Sequence, residues 1–230
     1  GVAKCLRMQG KCLYYIKRYD EAWMLMNQAL DIAIQIDNKK QIVACHKQLY
    51  YLCREFKRMM NERGDEQAST LFFRESLLHE MYFSEKPRLA ELTVRYEALR
   101  CDIMQQYYMN KDYDNVIRIA TSLDIHDDAD PNASCLVYYY KAQAYVKLEN
   151  YPMAKEAFFR ELELRKKYLG WEEEDTILAC QNLGVLHSFC NEREEALACF
   201  REAYGYEVKK NGEDSEMAQK LLQYISVVES

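Results

Sequence analysis

The sequence predicts an all-α array of antiparallel helix pairs that ends in a capping helix, an α-solenoid, and three observations lead there. A spacing of Gly, eleven residues, Ala, three residues, a large apolar residue, two residues and Ala recurs along the 230-residue chain. Gly and Pro number only seven and three, so little interrupts helices. Strand-like alternation of apolar and polar residues is scarce.

The clearest copy of the spacing is Asn182 to Ala203, where Leu183, Leu186 and Phe189, with Val185 beside them, face Ala196, Leu197, Phe200 and Ala203 across a polar turn. Gly184 permits close approach of the first helix, Ala196 is the small residue expected opposite it, and Asn191 with Glu194 forms a capping-box pattern at the second helix start. Other copies are Gly10, Ala22, Met26, Ala29 and Ala142, Ala154, Phe158, the latter with Glu161 in place of the last Ala. Looser ones are Phe56, Ala68, Phe72, Glu75 and Met104, Val116, Ala120, Leu123. Their centres lie 46, 48, 38 and 42 residues apart, which is a repeat array read as one domain over residues 1–230.

In chain order, the first pair spans about 3–37, with Asp20 as N-cap of its second helix and Trp23, Met26, Leu30 and Ile34 as its core stripe. The second spans about 40–83 and turns at NERGDEQ. The third, about 86–123, opens with Ser84 as N-cap and Pro87 in the first turn. Asp130 caps the fourth, about 131–168, and Pro152 sits in the first turn of its second helix. The fifth spans about 173–210, its start marked by Glu172, Glu173 and Glu174 opposing the helix dipole, and the capping helix about 214–228.

These residues resemble the tetratricopeptide repeat (TPR) family, with Tyr19, Tyr113 and Tyr151 at the aromatic position before the second helix of a pair. The last third, with ELRKKYLGWEEEDTILACQNLGVL and YEVKKNGEDSEMAQKLLQYI 42 residues apart, is similar to kinesin-light-chain-type repeats. The resemblance implies a right-handed superhelix with the first helix of each pair lining a concave surface. On that surface it places Arg54, Lys57, Gln105, Tyr108, Tyr139, Gln143 and Asn182 as ligand contacts, with Tyr50 beside them. Asn182 matches the family's peptide-pairing Asn, but Met8, Arg54, Asp102 and Tyr140 stand at the equivalent positions, so the family's cargo specificity is not implied.

The remaining composition narrows the function. No apolar run approaches the ~20 residues of a membrane span. A net charge of −6 and a pI near 5.4 argue against nucleic acid as the principal ligand. Nine cysteines without a CxxC pair read as small buried hydrophobes of a reducing compartment, the cytoplasm. The chain begins with Gly and enters an amphipathic pattern at once, as a piece of a longer protein would.

No catalytic constellation stands out, and neither an enzyme, a cofactor nor a metal is expected. His46, His79, His126 and His187 are dispersed, with His187 expected in interhelix packing, and no Gly-rich phosphate loop exists. Asp124, Asp127, Asp128 and Asp130 lack the Gly and distal Glu of an EF-hand loop. The reading is a non-catalytic module that binds a protein or peptide, acidic toward the Arg54/Lys57 end, with no nucleic acid or membrane as partner. The alternative is a ligand- or peptide-sensing regulatory segment of a bacterial transcription regulator or signalling protein.

Overall fold

The computed structural model describes residues 1–84, 96–121, 130–171 and 173–230, and among them every regular element is an α-helix. In order these are α1 (Val2–Tyr15), α2 (Tyr19–Gln35), α3 (Lys39–Glu62), α4 (Glu66–Glu80), α5 (Tyr96–Met109), α6 (Tyr113–Thr121), α7 (Pro131–Lys147), α8 (Tyr151–Tyr168), α9 (Glu174–Phe189), α10 (Arg193–Asn211) and α11 (Glu216–Glu229). The helices pack as neighbours in the α-solenoid manner: α1 on α2, α3 on α4, α7 on α8, α9 on α10 and α10 on α11, with α2 against α3 and α8 against α9. The chain forms two compact units, one holding α1–α5 and the other α6–α11.

Most of the repeated positions are core, but Ala68 and Phe72 are half-buried, and Val185 and Phe189, expected on the α9 contact face, are exposed. Ala22, Met26 and Ala29 are buried in the first unit, as are Ala142, Ala154, Phe158, Ala196, Phe200 and Ala203 in the second. A fully buried Phe or Met contributes about 1.5–3 kcal/mol, whereas the alanines act by letting backbones approach. In the second pair Phe56 replaces the small residue, and its ring stacks on Phe72 at 5.0 Å. A large contact thus substitutes for a close one. Tyr19 and Tyr151, at the starts of α2 and α8, reach the following pair, with ring centroids 6.5 Å from Phe56 and 5.1 Å from Phe189.

The turns depart from the capping scheme read in the sequence. Lys17, Gly64, Lys111, Glu149 and Asn191 all have φ between 58° and 75°. Around Lys17, Gly64, Glu149 and Asn191 the backbone closes in the same two bonds. Glu149 N–H donates to the Val146 carbonyl at 3.1 Å and Asn150 N–H to that of Tyr145 at 2.9 Å; the other three turns repeat the pattern, a Schellman closure. Asn191 is therefore the left-handed residue and not the cap. The N-cap is Glu192, whose carboxylate turns instead to Lys155 and to His187 Nδ1, the latter at 2.6 Å. His187 thus makes a polar contact across the turn where packing was expected. Asp20 is likewise not a cap, because α2 begins at Tyr19 and Arg18 precedes it. Asp130 does cap α7, accepting from Ala133 N–H at 3.2 Å, and Pro152 lies in the first turn of α8. Ser84 N–H donates to the Glu80 carbonyl at 3.1 Å, closing the end of α4; the helix it was expected to cap, with Pro87, lies outside the described residues, as do the loop carboxylates Asp124, Asp127 and Asp128, and Glu172.

Gly64 isolates the cost of such a turn. Its φ is +75° and a Cβ there would meet nothing within 4 Å, so Gly64→Ala should cost about 1 kcal/mol from backbone strain alone. Urea unfolding will show it as a lower midpoint at unchanged slope.

Candidate functional site

Charge is distributed by helix in the first unit. α1 carries Lys4, Arg7 and Lys11 and no acidic residue, and α3 carries six basic residues against Glu55 and Glu62. Both glutamates are taken up by Arg58, at 3.1 and 2.6 Å. That leaves Arg7, Lys11, Lys47, Arg54 and Lys57 with no carboxylate partner among the described residues. Between α1 and α3 runs a cleft of about 350 Å³ lined by Arg7, Lys11, Tyr14, Tyr15, Lys47 and Tyr51. Tyr14 and Tyr51 also border a second hollow of about 450 Å³ with Arg54, Lys57 and Arg58. Aromatic faces support the cations: the Arg54 guanidinium lies 5.7 Å from the Tyr50 ring centre and Lys57 Nζ 4.6 Å from that of Phe73. The result is a continuous basic and aromatic trough.

Arg54 is exposed and Lys57 half-buried, and they share that hollow. Gln105 is exposed on α5 and Tyr108 half-buried on the same helix. Tyr50 is buried, with its ring 5.3 Å from Phe83, and so is not a surface contact. In the second unit Gln143 and Asn182 come together in a cleft of about 250 Å³ with Val146, Tyr151, Val185 and Phe189. Tyr139 hydrogen-bonds Gln143; burial, with the Glu161 charge nearby, raises its phenol pKa. The seven residues thus fall into separate groups on the two units.

Two buried polar clusters complete the picture, and both occupy the last-Ala position of the repeat. Glu161 accepts from Arg165 Nε at 2.8 Å, and Arg165 Nη1 reaches Asp175 at 3.2 Å. Burial pushes the Glu161 carboxyl up to about 7 against the pull of Arg165. Its Oε2 has no hydrogen-bond partner among the described residues, so little offsets desolvation there. In the first unit Glu75 accepts from Tyr107 Oη at 2.6 Å through Oε2, while Oε1 lies 3.5 Å from His79 Nε2. His79 Nδ1 is 2.9 Å from His46 Nδ1, and the His46 ring stacks on Tyr82 at 3.7 Å. The histidines that look dispersed in sequence, 33 residues apart, are therefore in contact. Only the Glu at an Ala position signalled either cluster.

All nine cysteines are free, but Cys5 and Cys12 are exposed and do not act as core residues. Burial raises the Cys45 thiol to about 11, which keeps it protonated. No described helix is long and apolar enough to cross a membrane.

No family model and no curated protein matches this sequence. Among solved structures 36 chains match. One is the crystal structure of BtubC (BKLC) from P. vanneervenii, with a TM-score of 0.52 at 14% identity over 88% of this chain and 80% of that one. At that identity the likeness shows the fold alone, a helical-repeat fold.

Proposed function

We propose that the chain is a non-catalytic helical-repeat module of TPR type that binds an acidic protein segment along the α1/α3 trough. The observation that carries this reading is a row of five cations with no carboxylate partner among the described residues, interleaved with Tyr14, Tyr15 and Tyr51, on a protein of net charge −6. A preformed wall leaves most of the ordering entropy to the ligand, and tyrosine supplies contact area at low entropic cost. The nine free thiols support placing the protein in the cytoplasm.

The test uses a fluorescent peptide of alternating Glu and Leu, read by anisotropy. Affinity should fall with salt, and Arg54→Glu with Lys57→Glu should weaken binding tenfold or more and flatten the salt dependence. Stability should change by only about 0.5 kcal/mol per site, because neither substitution disturbs the core. Asn182→Ala, in the other unit's cleft, should leave this peptide's affinity unchanged. Unaltered affinity in the double charge reversal would defeat the proposal. So would tighter binding of a single-stranded oligonucleotide of equal charge.

A further inference from the structure

We propose that Cys53, Glu75 and His79 form a binding site for one divalent transition-metal ion, Zn2+ by donor chemistry. The three are fully buried and offer a sulfur, a carboxylate oxygen and an imidazole nitrogen that all lie within 4.8 Å of one another. Bonds of about 2.0–2.3 Å in a tetrahedral zinc site set donors roughly 3.3–3.8 Å apart. Glu75 Oε1 and His79 Nε2 already stand at 3.5 Å, so modest contraction around the sulfur completes the geometry.

The surrounding groups are those a metal centre uses to aim its ligands. Glu75 has two oxygens: Tyr107 Oη holds Oε2 at 2.6 Å, which turns Oε1 toward His79. His79 has two nitrogens: Nδ1 meets His46 Nδ1 at 2.9 Å, which fixes the ring with Nε2 toward Glu75. The sibling atoms of the carboxylate and imidazole donors are thus both anchored by outer residues. With Nδ1–H of His79 donating to His46, Nε2 presents its lone pair to the ion; in the other tautomer Nε2–H faces the Glu75 carboxylate. Metal binding selects the first and releases the Cys53 thiol proton, so affinity should rise with pH.

Charge favours the same assignment. A thiolate, a carboxylate and a neutral imidazole around a dication sum to zero, which removes the penalty of burying isolated charges. A sulfur donor beside imidazole and a single carboxylate selects Zn2+ over Mg2+ or Ca2+, which take oxygen sets. Three protein donors leave a fourth position for water. Cys53 comes from α3 and the other two from α4, so the ion would clamp one helix pair.

The full chain, stripped with chelator, should bind one equivalent of Co2+ with tetrahedral d–d bands and a thiolate charge-transfer band, both erased by Zn2+. Zn2+ at a hundredfold excess over its Kd should raise Tm by about 5–10 °C. Cys53→Ser should abolish the charge-transfer band, and Glu75→Gln should weaken binding tenfold or more, whereas Cys180→Ser in the other unit should change neither. X-ray absorption of the unsubstituted Zn2+-loaded chain covers the case where these variants fail to fold, and should report one sulfur with nitrogen and oxygen neighbours. Two or more sulfurs, a band that survives in Cys53→Ser, or no saturation at one equivalent would each overturn the site.

Discussion

In alkaline solution, where Glu161 is ionised beside its partner, replacing Arg165 with methionine should destabilise the protein by about 3–5 kcal/mol, because it strands the buried Glu161 carboxyl without its cation. Glu161 is 1% exposed and Arg165 4% exposed, so water cannot replace the lost partner. The loss should grow with pH, since an acidic solution can neutralise the stranded group by protonating it. Restoring the repeat's own residue in the double variant Glu161→Ala, Arg165→Met should recover most of the loss, as apolar pairs often match or exceed buried ion pairs. The wild type carries a related signature. Its Glu161 pKa is raised in the folded state to about 7. Proton binding by that carboxyl therefore favours folding, an effect fully present below the ordinary carboxylate range and lost as pH rises through about 7. Between pH 5 and 7 the wild type should lose up to about 1.4 kcal/mol per pH unit relative to Glu161→Gln. Urea midpoints measured across that window will decide. A flat difference between the two proteins would mean that Glu161 stays ionised throughout.

Gly184→Val should cost about 3 kcal/mol or more through overpacking. A Cβ at Gly184 would lie 2.8 and 2.9 Å from two ring carbons of Phe200 and 3.0 Å from Cys199 Cβ. The Phe200 ring cannot retreat, because it is buried and stacks on Tyr224 of α11 at 5.2 Å. Gly10 is the control in the first unit. There the nearest atom to a new Cβ is Met26 Cε at 2.9 Å, the end of a flexible side chain, and the nearest backbone atom is Ala22 O at 3.3 Å. Gly10→Ala should stay within about 1 kcal/mol, since better helix propensity offsets the small shift. Equal urea midpoints for wild type and Gly184→Val would refute the close α9–α10 approach.

The helix pairs were legible because the repeat spacing records which residues are small enough to let helices meet. The partner of Gly184 was not, since Ala196 and Phe200 lie one turn apart on the same face and spacing alone cannot choose between them. Caps were misread at Asn191 and Asp20 because side-chain type signals a cap only when the backbone leaves that residue in the N-cap position. That Arg54 and Lys57 share one helical face was legible from their offset. The fuller trough needed α1 and α3 side by side, since Arg7 and Lys47 are 40 residues apart. The Cys53, Glu75 and His79 cluster spans two helices, and nothing in either helix alone marks it except a Glu where the pattern asks for Ala. Gln105, Tyr108 and Tyr139 were placed by register from the other repeats, and the side chain of Tyr139 turned toward Gln143 and the core of its own unit.

The left-handed turn residues bear on how the repeat is written. Lys17, Gly64, Lys111, Glu149 and Asn191 hold one torsional state with a cation, no side chain, another cation, an anion and an amide. At four of the five the closing bonds run from backbone to backbone, so the turn asks nothing of the side chain that stands there. The repeat is therefore legible in the bends of the chain at points where it is illegible in the letters.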